Sequence, residues 1–94
     1  MKVRVTNDAT EDLRQIKEYV AGRNVTAAEH LMERFRIVIR KLTVLPRLGH
    51  AGVVEDTYEI NVPRVPFLIV YRIDGAKTGS ELVVLRVYHA AQDR

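Results

Sequence analysis

Residues 67–73, Phe-Leu-Ile-Val-Tyr-Arg-Ile, are the run that most constrains the fold. All but Arg72 are apolar or aromatic and β-prone, which is the signature of a central strand. A central strand needs a neighbour along each edge, and the flanking sequence supplies both. Pro63 and Pro66 bracket a turn on one side, because neither can donate a ladder hydrogen bond. Asp74-Gly75 opens a turn on the other side that runs through Gly79. Tyr58 to Val62 then reads as the preceding strand. Glu81 to Tyr88 reads as the last, with Leu82-Val83-Val84-Leu85 again buried in character. Three consecutive strands joined by short turns make an antiparallel meander.

The first half of the chain reads differently. Val3 and Val5 alternate with Lys2, Arg4 and Thr6, a period-two pattern that predicts a short strand near residues 2–6. Asp8 with Glu11 resembles a capping box, and Ala9, Leu13, Ile16 and Val20 recur on one helical stripe. A helix over 9–21 follows, with Gly22 as its stop. Thr26 and Glu29 form a second capping box. Ala28, Leu31, Phe35, Val38, Leu42 and Leu45 then predict a longer amphipathic helix over 27–44, ended by Pro46. The link from Gly22 to Val25 is short, which favours an antiparallel helical hairpin. Residues 46–57, with Pro46, Gly49 and Gly52, show no periodicity and read as a loop. The expected class is α+β, in the order β-α-α-β-β-β, with the hairpin covering one face of a small antiparallel sheet.

At 94 residues the chain is one domain, residues 1–94, with no internal repeat. A chain of this size buries roughly 60–65% of its unfolded surface, so its core is thin and a partner that covers more apolar area would help it. The net charge of +3 and pI of about 9.5 suit an acidic partner or nucleic acid, but the basic residues are scattered. Without cysteine, disulfides and thiolate chemistry are excluded, and a cytoplasmic location fits. The N-terminus has no apolar signal-like region, and no stretch approaches a membrane span.

No catalytic constellation stands out. Ser80, the one serine, lies beside a turn glycine. The histidines His30, His50 and His89 are isolated without metal-ligand spacing, and the glycines are too dispersed for a phosphate loop. No metal, cofactor or catalytic group is therefore expected. His89 is singled out because it follows an apolar strand beside Tyr88 and near Arg86, Asp93 and Arg94. It could move a proton or contact an anion, or simply bond backbone at a strand end. Arg72 and Arg86 could form a basic sheet face for phosphate or carboxylate, or a solvated one. Tyr58, Phe67, Tyr71 and Tyr88 could stack on bases, or pack in the core. Part of the stripe Leu13, Ile16 and Val20 could receive an apolar partner segment.

Several stretches together resemble the RelE/ParE toxin superfamily. Ala9-x-x-Asp12-Leu13-x-x-Ile16-x-x-Tyr19 is similar to the opening helix of ParE-type toxins. Ala27-Ala28 through Ile39 and Leu42, then Leu45-Pro46-x-Leu48-Gly49, resemble their second helix and following loop. Pro66 to Ile73 resembles their central strand, and Leu85 to Arg94 their closing strand and tail. The resemblance spans nearly the whole chain in the correct order.

It implies the same β-α-α-β-β-β order, a growth-arresting toxin, and a cognate ParD-like antitoxin whose C-terminal segment wraps it. Operator DNA would be reached only indirectly, through the antitoxin. Antitoxin contacts are expected at Leu13, Ile16, Val20, Phe35, Tyr58 and Phe67. RelE-like members cut mRNA on the ribosome with basic groups that fall, by rough alignment, at Glu59, Asn61 and Leu68 here. These side chains cannot stabilise a developing phosphorane charge as Arg or Lys would. His89 aligns with a histidine of some RNA-cleaving relatives, but Ala90 follows it where those relatives can carry a tyrosine. Under that alternative His89, Arg86 and Arg72 would be catalytic. The ParE branch, which inhibits DNA gyrase with no active site of its own, is the closer resemblance. On that reading function lives in a surface, and target binding is expected on Arg86, Tyr88, His89, Asp93 and Arg94. One departure is Tyr58, where ParE-type toxins often carry an arginine. A family member that has lost toxicity is a third reading.

Overall fold

A computed structural model describes residues 1–75 and 80–91. The element order is β1 (Lys2–Val5), α1 (Asn7–Ala21), α2 (Val25–Val44), β2 (His50–Ala51), β3 (Tyr58–Asn61), β4 (Phe67–Asp74) and β5 (Glu81–His89). The helical hairpin and the β3–β4–β5 meander form as expected, with β4 central. Two elements extend the sheet. β2, inside the expected loop, pairs antiparallel with β3, and β1 pairs with β5 in parallel. The sheet is therefore five-stranded and mixed, in the order β1-β5-β4-β3-β2.

Phe67, Ile69, Tyr71 and Ile73 of β4 face the helices, alongside Val84 and Val87 of β5. The stripe of α2, Ala28, Leu31, Phe35, Val38 and Leu42, is buried against them. Leu45, the expected end of that stripe, is 57% exposed. The helix has already ended at Val44, and Leu45 turns away with φ −123° and ψ 71°. From α1 only Ala9 is fully buried, while Leu13, Ile16 and Val20 pack at the margin of the core. The far face of the sheet buries Leu68, Val70 and Val83, and among the described residues no helix covers it.

Both helices start earlier than their sequence patterns indicate. Thr6, not Asp8, caps α1, its hydroxyl accepting from Ala9 N at 3.1 Å. Asn24, not Thr26, caps α2 through Oδ1 to Ala27 N at 3.0 Å. Thr6 has a second role that Asp8 could not fill: its N–H donates to Val84 O at 3.0 Å and its hydroxyl to Leu85 O at 2.9 Å. The cap thus ties the junction of β1 and α1 to β5. Gly22 does follow α1, but with φ −60° it stays right-handed, so it does not use the freedom glycine offers there.

The buried Tyr71 side chain ties the loop after α2 to the sheet. The Tyr71 hydroxyl donates to Pro46 O at 2.7 Å and accepts from Gly49 N at 3.0 Å. Gly49 fits there because a Cβ would stand 2.7 Å from both Glu59 O and the Tyr71 hydroxyl. The turn between β3 and β4 places Arg64 at φ 68° after Pro63, with Val65 N donating to Val62 O at 3.4 Å. Of the expected turn from Asp74 to Gly79, residues 76–79 lie outside the described residues.

Candidate functional site

A concavity of about 610 Å³ lies between α1, the start of α2 and the end of β5. Ile16, Val20 and Leu31 form its apolar floor, and Phe67, Val87 and Tyr88 close it on the sheet side. The groove exists because β1 pairs with β5 only as far as Val84. Beyond that residue the β5 edge is bordered by α1 instead of by a strand. Phe67 is held by edge contacts, with ring centroids 5.7 Å from Phe35 and 5.4 Å from His89. Tyr19 stands at the rim, 66% exposed, with the Arg23 guanidinium 4.3 Å over its ring.

At the polar end of the groove is Asp12. Its carboxylate accepts from Arg86 Nε at 2.8 Å, Arg86 Nη2 at 3.0 Å and the Val87 backbone N–H at 2.9 Å. These bonds hold the Arg86 guanidinium firmly protonated, its pKa raised above the usual arginine value chiefly by Asp12. A bulge explains how a sheet residue reaches a helix. Pairing jumps from Val70–Arg86 to Tyr71–Val84, leaving Leu85 as the extra residue. Bulges re-aim neighbouring side chains, and here Arg86 turns past the uncovered edge toward α1. Its guanidinium also lies 4.9 Å over the Tyr88 ring.

The sequence-derived candidates divide in this structure. Ile16, Val20 and Phe67 line the groove. Phe35 is 2% exposed beneath Phe67 and presents no surface, because it lies on the buried stripe of α2. Leu13 packs against the core without lining the groove. Tyr58 is elsewhere, on β3, stacked on Tyr71 with centroids 5.5 Å apart and bonded to Arg47 at 2.6 Å.

Arg86, Tyr88 and His89 meet at the groove mouth, where Ala91 N donates to His89 Nδ1 at 3.1 Å. Asp93 and Arg94 lie outside the described residues. Arg72 and Arg86 do not build one basic site. Arg72 Nε donates to both oxygens of Asp74, at 2.9 and 3.0 Å, while Arg86 is taken by Asp12. Tyr71 is core, not a stacking platform, and burial raises its pKa above the ordinary tyrosine value.

Glu59, Asn61 and Leu68 share the far face of the sheet with Val70, as the register requires. Glu59 is 4% exposed, with Oε2 accepting from Val53 N at 3.1 Å, and Leu68 is 3% exposed. This face therefore carries a buried carboxylate, an exposed amide and a buried apolar side chain at the aligned positions. Sequence reasoning missed Tyr19 and Asp12 as site residues. Tyr19 sits three residues past Ile16, and that spacing was the available signal. The role of Asp12 depends on a strand more than seventy residues away. Among the described residues no group of His, Asp and Glu is arranged to hold a metal, and no helix is long and apolar enough to cross a membrane.

Comparison with known proteins identifies the family and the fold. Residues 3–94 match the family model of the ParE toxin of the type II toxin–antitoxin system parDE. The chain is 28% identical over 91 residues to Y4kP of Sinorhizobium fredii, a protein whose toxin role is inferred, covering 97% of this chain and 90% of that one. Two solved structures share the fold. A chain of the chromosomal ParDE system of P. aeruginosa aligns with a TM-score of 0.69, 19% identity and 95% coverage of each chain. A chain of the E. coli RelBE toxin–antitoxin complex aligns with a TM-score of 0.63, 17% identity and coverage of 97% and 98%.

Proposed function

The chain belongs to the ParE toxin family of type II toxin–antitoxin systems, and from that premise we propose that it arrests growth by inhibiting DNA gyrase and does not cut RNA. The observation that carries this reading is the far face of the sheet. Glu59, Asn61 and Leu68, which fall by rough alignment where the RelE branch carries cations, share this face. A buried carboxylate there opposes the charge that develops when RNA is cleaved. The two arginines that the ribonuclease alternative would use, Arg72 and Arg86, are each engaged by their own carboxylate. Function then belongs to a surface, and the end of β5, with Arg86, Tyr88 and His89, is the surface we assign to the target.

The groove is assigned to the antitoxin. A ParD-like partner would lay an apolar segment over Ile16, Val20 and Phe67, with Tyr19 as its outer wall. Such burial stabilises a thin core by mass action. Because Tyr88 and His89 also border the groove, an antitoxin seated there would cover part of the target surface. Both partners place the chain in the cytoplasm. One observation favours the ribonuclease alternative: His89 is exposed and lines the same groove as Arg86.

Inducible expression without antitoxin tests the choice. Growth arrest with cleaved or unreplicated DNA and intact mRNA supports the gyrase reading. Rapid mRNA loss with DNA unaffected overturns it and makes His89 the first residue to replace. Unimpaired growth with soluble protein leaves a non-toxic family member.

A further inference from the structure

The edge of β5 is closed group by group by the segment leaving β1. β1 itself covers Glu81 to Val84. Thr6 then takes Val84 O and Leu85 O at 3.0 and 2.9 Å. Past the bulge, Asp12 Oδ2 takes the Val87 N–H at 2.9 Å. The carboxylate that closes this edge is also the one that binds Arg86 through Nε and Nη2. Its side chain is 14% exposed, against 40% for Arg86, so it works from beneath the surface.

We propose that Asp12 is the positioning residue for the end of β5: one carboxylate fixes both the strand backbone at Val87 and the guanidinium of Arg86, and so sets where Arg86, Tyr88 and His89 stand. The inference rests on the reading of this strand end as the target surface. A residue that only packed α1 on the sheet would need no charge. A residue that only neutralised Arg86 would leave the Val87 N–H to water. Asp12 does both, next to a bulge that has already turned Arg86 toward it. The arginine then lies over the Tyr88 ring, so the order runs from carboxylate to guanidinium to aromatic face. Asp12 itself touches no target.

The test uses the full chain as wild type, Asp12→Asn, Asp12→Glu and Arg86→Gln, with two readouts. The first is residue-resolved amide exchange and chemical shift. The second is growth arrest on induction, scored whichever macromolecule is attacked. Asp12→Asn is expected to speed Val87 amide exchange at least ~10-fold, since hydrogen bonds to charged groups are worth that much. It should shift Tyr88 and His89 while α2 and β4 stay protected, and weaken growth arrest. Asp12→Glu, which keeps the charge, should restore part of the arrest. Arg86→Gln should leave the Val87 amide slow and still displace Tyr88.

If Asp12→Asn fails to fold, every amide opens and the Arg86→Gln comparison decides. Unmoved Tyr88 and His89 signals in both variants would overturn the proposal, as would undiminished arrest with the Val87 amide open. The gyrase reading fails separately, on what the wild type destroys. If the wild type is not toxic, the exchange and shift readouts still decide whether Asp12 positions the strand end.

Discussion

Replacing Tyr71 by Phe isolates one hydroxyl and keeps everything else. The ring lies fully buried on β4, stacked on Tyr58 with planes 20° apart, and a phenylalanine retains that packing. What is lost is the pair of bonds to Pro46 O and Gly49 N, at 2.7 and 3.0 Å, that ties the loop after α2 to the sheet. Two neutral hydrogen bonds contribute roughly 0.5–1.5 kcal/mol each, and the stranded carbonyl and N–H are part-buried, so the cost is about 2 kcal/mol. With a urea slope of about 1–3 kcal/mol per M for a small protein, the midpoint should fall by about 1 M with the slope unchanged. The melting temperature should fall by about 8–16 °C.

The same hydroxyl predicts a pH effect. Burial raises the Tyr71 pKa, and the Gly49 N–H bond pulls it only partly back. Above a pH of about 10 the unfolded chain has released a proton that the folded chain still holds, so stability must fall as pH rises. Below that pH the contribution is fully present. Tyr71→Phe should lose this share of the alkaline slope. Urea unfolding followed by circular dichroism, near neutral pH and again in alkali, makes both comparisons. A midpoint shift below about 0.3 M, or an alkaline slope equal to that of the wild type, would refute the assignment.

Other consequences follow from the same geometry. Tyr19→Ala should leave stability within about 0.5 kcal/mol, because the ring is 66% exposed, and weaken binding of the cognate antitoxin by about 10-fold in calorimetric titration. Arg72→Ala should leave growth arrest unchanged, since Arg72 is bound by Asp74 and belongs to no proposed surface; loss of toxicity would favour the ribonuclease alternative. Gly22→Ala should raise stability by about 0.4–1 kcal/mol in urea unfolding, as the residue is right-handed and an added Cβ meets nothing closer than 3.5 Å.

Much of the architecture was legible because its signals are periodic. The stripe from Ala28 to Leu42 and the run from Phe67 to Ile73 each describe a face, and a face predicts burial. Pairing partners are not written that way. Val3 and Val5 announce a strand but not that it lies parallel to β5, which joins opposite ends of the chain. The helix caps were misplaced for a related reason. Acceptors stand two residues apart at both starts, and Thr6 prevails over Asp8 partly because it also bonds Val84 and Leu85. The site shows the same divide. Ile16 and Val20 line the groove as their stripe implied, whereas Phe35 shares a stripe that turned out to face the core. Asp12 belongs to the opening-helix motif, but its role shows only when the fold brings Val87 and Arg86 to it.

The most direct test of the central claim uses purified chain, DNA gyrase, ATP and relaxed plasmid, beside a translation mixture with defined mRNA. The account predicts blocked supercoiling, with DNA cleaved and held on gyrase, and full-length mRNA in the translation mixture. Normal supercoiling together with mRNA cut on the ribosome would contradict it.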